Sequence, residues 1–234
     1  DPDPNTYTLD AVWGKLSASP KKVVYDGNEY SIEEASLEYY SNLEEKYQEQ
    51  IKQSGKLKLV GIKYKLQGVD SDYQDSPTKR TNVGKYTYDI KGIIVVNGEN
   101  VELATTSTLT ITPKAVTVKA NDASKMYGEN DPKFTATVTG TLNEDKIEYK
   151  VTRPGAGTDE AVKTYEDAII AAGDKEQGNY TVTYEPGDFT IKAQSIDPSD
   201  PSYLNVKVSK PENKVYDGKD HKWIPEVTLE DGTP

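Results

Sequence analysis

Apolar and polar residues alternate along many short stretches of this chain. Val116, Val118 and Ala120 alternate with threonine and lysine, and residues 134–138 and 180–184 repeat the pattern. Because successive side chains of a strand point to opposite faces, each stretch predicts a half-buried antiparallel strand. Turns that contain glycine or proline separate the stretches. The pattern therefore predicts a mainly β fold, made of small sandwiches or partly open barrels.

Residues 31–56 follow a different period. The opening Ser-Ile-Glu-Glu has the form of a helix capping box, so we predict an inserted α-helix from about Glu33 to Ser54. One interpretation is a buttress that covers an open sheet face or edge. The other is a recognition element, with Tyr39 exposed beside Tyr40. The apolar residues that would form one face of this helix are Leu37, Tyr40, Leu43, Tyr47 and Ile51.

A short tyrosine–glycine sequence occurs three times. Val24-Tyr25-Asp26-Gly27 returns as Val215-Tyr216-Asp217-Gly218, and Met126-Tyr127-Gly128-Glu129 lies between them. The first and second copies are each followed by a closing strand, residues 107–111 and 187–191. Recurrence at this spacing predicts tandem domains. The glycines of the first two copies should adopt a positive φ or allow close backbone approach.

These landmarks divide the chain into four predicted segments. Residues 1–19 form a linker or leading strand, and residues 20–112 form a β domain that carries the helical insertion. Residues 113–196 form a second β domain, and residues 197–234 begin a further, truncated one. Residues 20–112 are named the first repeat below, and residues 113–196 the second repeat. Because the sequence starts without methionine, we expect it to be a piece of a longer protein.

Composition removes several kinds of chemistry. The chain of 234 residues has a net charge of −11, which does not suit a nucleic-acid-binding protein. It has no cysteine and a single histidine, His221, which excludes disulfides, thiol catalysis and Cys/His zinc sites and disfavours a catalytic triad. No apolar run is long enough to cross a membrane. We therefore expect no catalytic residue and no enzymatic activity.

Two kinds of structural chemistry stay open. Aspartates gather near the predicted linkers and loops, and their oxygens suit Ca²⁺, which often stiffens joints between extracellular modules. Asp-Pro pairs are also ordinary turn formers. A Lys–Asn or Lys–Asp isopeptide bond is another option for a cysteine-free chain, although no spacing identifies one. The aspartates concerned are Asp1, Asp3, Asp70, Asp72, Asp197 and Asp200.

The sequence also resembles a known family. Residues 111–118, the run Tyr127-Gly128-Glu129-Asn130-Asp131-Pro132, Gly178-Asn179-Tyr180 and residues 189–191 resemble, in this order, the Tyr-Gly-X type MBG domain of bacterial surface proteins. The resemblance covers about residues 112–193, and residues 20–111 resemble the related YDG type. The residues that carry the two motifs are Tyr25, Gly27, Tyr86, Tyr127, Gly128, Asp131, Pro132 and Tyr180. Immunoglobulin-like sandwiches are one fold expected of such modules, and β-grasp-like domains are the alternative.

The resemblance implies a function. These families imply tandem arrays in large, secreted, adhesin-like bacterial proteins, with no shared catalytic residues. We therefore expect an extracellular or cell-surface stalk whose partners are neighbouring repeats, with no nucleic acid and no membrane insertion.

Two other functions stay open. One is a module that binds carbohydrate or host glycoprotein through Trp13, Tyr39, Tyr40 or Trp223. The other is an accessory domain of a secreted polysaccharide-active enzyme. A contiguous exposed aromatic patch would favour binding, whereas packed tyrosines would favour a stalk.

Overall fold

A computed structural model of the chain describes residues 14–39, 57–96, 98–142, 144–157, 160–195, 199, 206–209, 217–219, 224 and 226–229. Every helix or strand assigned within these residues is a β-strand, so the described part of the chain is all-β, which confirms the mainly β class. The strands are β1 (Gly14–Ser17), β2 (Lys21–Val24), β3 (Ser36–Tyr39), β4 (Leu57–Leu66), β5 (Gly84–Val96), β6 (Glu99–Thr112), β7 (Lys114–Ala120), β8 (Ala123–Met126), β9 (Ala136–Thr139), β10 (Lys150–Thr152), β11 (Thr164–Ala172), β12 (Glu176–Gln177), β13 (Tyr180–Glu185), β14 (Gly187–Lys192), β15 (Val206–Val208) and β16 (Val227–Leu229).

The helix predicted for residues 33–54 is not supported. Its beginning contains β3, which pairs antiparallel with β1. Within β3, Leu37 is half-buried between the exposed Ser36 and Glu38, which is the period of a strand rather than of a helix. The rest of the predicted helix, residues 40–54, lies outside the described residues. The β-grasp alternative depended on this helix and has lost that support.

The first repeat contains a four-stranded sheet with the order β2-β6-β5-β4. β5 and β6 form a long antiparallel hairpin, and β4 pairs antiparallel with β5. β2 is parallel to β6, which corrects the prediction that the strands are antiparallel. Alternate residues of β4, β5 and β6 form the core: Tyr64, Leu66, Tyr88, Ile90, Ile94, Leu109 and Ile111.

The second repeat contributes two four-stranded sheets, β10-β11-β14-β8 and β12-β13-β7-β9. β8 is parallel to β14, so this repeat also contains a parallel pair. Both sheets bury alternate residues on one face, which is the pattern of a β-sandwich. The buried residues are Val116, Val118, Ala120, Ile169, Ala171, Tyr180, Val182, Phe189 and Ile191.

Packing groups the chain into two compact units. The first comprises residues 1–116, 140–146 and 175–182, and the second comprises residues 117–139, 147–174 and 183–234. The first unit therefore includes two segments of the second repeat. β15 and β16 pair antiparallel with each other. The repeat boundaries drawn from sequence landmarks stay a prediction.

Candidate functional site

The first tyrosine–glycine corner turns the chain at the end of β2. Gly27 has a φ of 83°, the positive value predicted for it. The Asp26 carboxylate accepts hydrogen bonds from the backbone N–H of Asn28 at 2.9 Å and from the Tyr30 hydroxyl at 2.6 Å. The Tyr30 bond is the main reason that the pKa of Asp26 lies below its usual value. Asp26 therefore fixes the shape of this corner.

Tyr25 anchors the same corner to the first unit. Its backbone N–H donates to the carbonyl oxygen of Thr112, at the end of β6, with a distance of 2.8 Å. Its side chain is buried, and its ring meets the ring of Tyr180 edge-on with centroids 5.7 Å apart. The Tyr180 hydroxyl donates to Asp145 at 2.6 Å, and burial raises the pKa of Tyr180. Tyr25 and Tyr180, two of the four motif tyrosines, are thus packing residues.

The second corner repeats the backbone of the first. Gly128 has a φ of 84°, again as predicted, and the N–H of Tyr127 donates to the carbonyl oxygen of Lys192 at 2.9 Å. A carboxylate also serves this corner, because Glu129 accepts the backbone N–H of Met126 at 3.0 Å. The Tyr127 side chain is 46% exposed, unlike that of Tyr25.

A buried ion cluster follows the second corner. Asp131, from the same motif, accepts two hydrogen bonds of 2.8 Å from the guanidinium of Arg153. Glu160 accepts two more from Arg153, each 2.6 Å long. Lys125 of β8 lies 2.9 Å from Asp131 and 3.5 Å from Glu160, and it donates to the Gly157 carbonyl at 3.1 Å. The side chains of Lys125 and Arg153 are only 3% and 2% exposed.

The cluster keeps its carboxylates ionised. Hydrogen bonds from Arg153 lower the pKa of Glu160 to about 2 and hold that of Asp131 below its usual value. The same bonds raise the pKa of Arg153. The guanidinium also lies 4.0 Å from the ring centroid of Phe189, a cation–π contact that covers it from one side. Opposite charges and hydrogen bonds together offset the desolvation of these groups.

This arrangement suits structure rather than reaction. An isopeptide bond between Lys125 and Asp131 would form with loss of water, and that step needs a protonated carboxyl group. Arg153 stabilises the ionised carboxylates instead. Among the described residues, no group of three or more His, Cys, Asp or Glu could hold a metal ion. The cluster links β8 to the second corner through Asp131, and both of these to Arg153 and Glu160.

Two of the aspartates considered for calcium have structural partners. Asp70 accepts the backbone N–H of Leu66 at 2.7 Å and the hydroxyl of Thr78 at 2.9 Å. Asp72 accepts the hydroxyl of Ser71 at 3.0 Å. Both belong to the turns that follow β4. Asp1, Asp3, Asp197 and Asp200 lie outside the described residues.

The predicted aromatic contact residues are not brought together in the described part of the chain. Trp13, Tyr40 and Trp223 lie outside it, and Tyr39 ends β3 with a side chain that is likewise not described. Among the tyrosines whose side chains are described, only Tyr127 is exposed. Tyr86, a motif residue, is half-buried, and its hydroxyl donates to the Asn82 carbonyl at 2.8 Å. The described tyrosines form no contiguous exposed patch.

An open groove of about 590 Å³ lies over β7 and β9 in the second unit. Its lining includes Thr117 and Lys119 from β7 with Thr137 and Thr139 from β9. These side chains are the outward members of the alternating pattern, and no aromatic residue lines the groove. It therefore lacks the stacking surface expected of the predicted glycan site.

Sequence reasoning missed the ion cluster. The alternating pattern predicts that charged side chains face solvent, and it therefore gave no reason to bury Lys125, Arg153 or Glu160. One signal was present: Arg153 is one of two arginines in a lysine-rich chain. Arginine is the cation suited to a planar, bidentate and stacked position, so its rarity could have marked this residue.

Comparison with protein families assigns the second repeat. Residues 116–190 match the MBG domain of the YGX type. The match contains β8, the first four residues of β14, the corner at Tyr127 and the whole ion cluster. The proposed MBG resemblance is therefore confirmed for the second repeat. The YDG-type resemblance of the first repeat stays a prediction.

Other comparisons add less. No match was found among curated proteins. A crystal structure of the N-terminal four Ig domains of Dscam1 isoform 9.44 aligns with 11% identity and a TM-score of 0.24. The alignment covers 78% of this chain and 47% of that one, so the chain spans about half the length of Dscam1 in that structure. Similarity at this level does not establish a shared fold, and the sandwich pattern depends on strand pairing and burial alone. The described residues contain no helix able to span a membrane.

Proposed function

We propose that this chain is a non-catalytic repeat module of a bacterial cell-surface adhesin, in which it acts as a spacer. The match of the second repeat to the MBG domain supports a surface-protein repeat module. Its partners are then the neighbouring repeats of the same chain, and its location is extracellular. Each repeat adds length and carries no ligand site of its own.

The observation that carries this proposal is the use of tyrosine. The chain has 17 tyrosines, which would suit a ligand-binding surface if they were exposed together. Instead Tyr25, Tyr64, Tyr88 and Tyr180 are buried. The Tyr64 hydroxyl accepts the N–H of Ala35 at 3.1 Å, and burial raises the pKa of Tyr88 to about 12. In these positions tyrosine serves as a core residue beside buried leucine, isoleucine and valine.

Small-angle X-ray scattering tests the spacer directly. Chains with one, two and three successive copies of residues 1–196 should increase in maximum dimension by a constant length per copy. A flexible string of domains would instead lengthen roughly as the square root of copy number. Square-root growth, or no growth beyond a compact particle, would contradict the spacer.

A binding screen tests the competing function. The 234-residue chain and a Tyr39→Ser/Tyr40→Ser variant would be applied to an array of glycans and matrix proteins, with Tyr39→Phe/Tyr40→Phe as a matched control. A spacer should show no specific binding in any form. Binding that is lost in the serine variant and kept in the phenylalanine variant would make the chain a carbohydrate- or glycoprotein-binding module. Binding restricted to polysaccharides would favour an accessory domain of a secreted polysaccharide-active enzyme.

A further inference from the structure

We propose that the parallel strand pairs β2·β6 and β8·β14 give each repeat a second function, the ability to resist tension applied along the chain. This inference depends on the proposed spacer, because a spacer between a cell and its target carries load. It concerns the strength of each repeat and not its length. The two properties are therefore measured separately.

In the four-stranded sheet of the first repeat, the first strand in the chain, β2, pairs with the last, β6. Lys21 to Val24 of β2 lie in register with Leu109 to Thr112 of β6. The chain enters this pair at Lys21 and leaves it at Thr112, which are opposite ends because the strands are parallel. Force on the two ends therefore slides the strands past each other. The hydrogen bonds between the strands are then loaded together, whereas those of a hairpin pulled from one end break one after another.

Side chains extend the bonding at both ends of this pair. The hydroxyl of Ser107 donates to the carbonyl oxygen of Ser19 at 2.9 Å, before the strands pair. The hydroxyl of Thr112 donates to the carbonyl oxygen of Val23 at 3.1 Å. The N–H of Tyr25 adds its bond to Thr112 just beyond the pair. Sliding must break these contacts together with the ladder.

The second repeat also pairs its closing strand with a parallel strand, although this strand is β8, its second strand, and β7 lies in the other sheet. Ala123 to Met126 of β8 lie in register with Phe189 to Lys192 of β14. Asp122 accepts the N–H of Asp188 at 2.9 Å at one end, and the Tyr127 N–H donates to Lys192 at the other. Lys125 also ties β8 to the ion cluster, so this strand is held from two sides. A parallel pair at the closing strand thus occurs in both repeats, and in both it is loaded along the strands once the chain before it is drawn tight.

The edge position of β2 supplies a matched pair of substitutions. Because the N–H of Tyr25 points to β6 and N–H directions alternate along a strand, the N–H of Val23 also faces β6 and that of Val24 faces away. Val23→Pro therefore removes one ladder bond, whereas Val24→Pro removes none. The Val24 side chain is 56% exposed, so its replacement removes little packing.

The experiment is single-molecule force spectroscopy of the 234-residue chain, tethered at its two ends. Opening residues 21–112 should release about 300 Å of chain, and opening residues 123–192 about 230 Å, so the two peaks are assigned by length. Val23→Pro should lower the force of the longer peak by about half and leave the shorter peak unchanged. Val24→Pro should change neither peak by more than the spread between molecules.

A stability control separates strength from folding. Ile90→Val removes a buried methyl group of β5, outside the parallel pair. It should lower resistance to urea while leaving the longer peak at its original force. If Val23→Pro prevents folding, Thr112→Val removes only the hydroxyl bond to Val23 and should still lower that peak.

Two results would overturn the load-bearing role. One is a force loss in Val23→Pro no larger than in a variant of equal urea stability, and the other is the absence of any resolved peak. Either could occur while scattering still shows constant growth per copy, in which case the spacer stands and only the resistance to tension fails.

Discussion

The two tyrosine–glycine corners use the same backbone with different side chains. Gly27 and Gly128 have φ values of 83° and 84°, and in each repeat the tyrosine N–H donates to the end of the closing strand. Yet Tyr25 is 7% exposed and Tyr127 is 46% exposed. The first corner is fixed by Asp26 within its own turn, and the second by Glu129 and the ion cluster behind it.

The difference shows which part of the motif has a fixed role. A positive φ and one backbone hydrogen bond place the corner at the end of a parallel pair, and neither depends on the tyrosine ring. The ring can therefore be core in one repeat and surface in the other. In both repeats the tyrosine–glycine corner marks the end of a parallel pair, while the surroundings of the ring differ.

The largest predicted difference concerns the two rings. Tyr25→Ala should lower the free energy of unfolding by about 3 kcal/mol, because it removes a buried ring that contacts Tyr180. Tyr127→Ala should change it by less than about 0.5 kcal/mol, as expected for a surface position. Urea denaturation followed by circular dichroism would measure both. Equal losses in the two variants would contradict the assignment of one ring to the core and the other to the surface.

Substitution of Arg153 in the ion cluster should lower stability nearly as much as Tyr25→Ala does. Arg153→Met leaves two carboxylates without their main partner and should destabilise the second repeat by about 3 kcal/mol. Arg153→Lys keeps the charge but not the bidentate geometry, so its loss should be intermediate. Hydrogen–deuterium exchange measured by mass spectrometry would report the second repeat separately. Faster exchange confined to the first repeat would contradict the role of Arg153.

Acid should weaken the second repeat by a smaller amount. The pKa values of Glu160 and Asp131 are lower in the folded chain than their usual values, so the cluster stabilises the fold fully above about pH 5. That stabilisation should decline as pH falls from about 5 towards 2, because protonation then favours the unfolded chain. Exchange measured across this range should show protection falling more in the second repeat. Arg153→Met should reduce this extra acid sensitivity, and its persistence unchanged would assign it to other groups.

A smaller loss of stability is expected from the glycine that the two corners share. Gly27→Ala and Gly128→Ala should each lower the free energy of unfolding by about 1 kcal/mol, because a side chain is unfavourable at a positive φ. No atom lies within 4 Å of the position that a Cβ would take at Gly128, so the loss there is backbone strain. Gly61→Ala is the control, since Gly61 has equally open space without a positive φ. A loss at Gly61 as large as at Gly128 would argue against strain as the cause.

Strand positions were predictable where alternation and turn residues agree. The predictions of both closing strands and of a positive φ at Gly27 and Gly128 were correct. These features depend on local sequence, because a strand with one buried face needs a period of two. Whether two paired strands are parallel or antiparallel was not predictable from alternation. The parallel pairing of β2 with β6 joins segments about ninety residues apart, and alternation is the same in both directions.

The predicted helix was wrong at its start for a related reason. Leu37 has helical spacing with later apolar residues, but pairing with β1 gives it a half-buried place in a strand. Partner strands override weak local preference. The ion cluster was missed because the sequence alone predicts an exposed side chain for Lys125. Only the fold brings Asp131 and Glu160 beside it.

The ion cluster also bears on how a tandem chain folds correctly. Each repeat closes only when its last strand has been made, and exchange of strands between similar neighbours is a known failure of repeat proteins. The closing strands Leu109-Thr110-Ile111 and Phe189-Thr190-Ile191 are alike enough to compete. Opposite Ile191 stands Lys125, whereas opposite Ile111 stands Val23. If β2 took the place of β8, Val23 would stand at the position of Lys125, and Asp131 and Glu160 would keep only Arg153 as a cationic partner, so the cluster favours the strand of its own repeat.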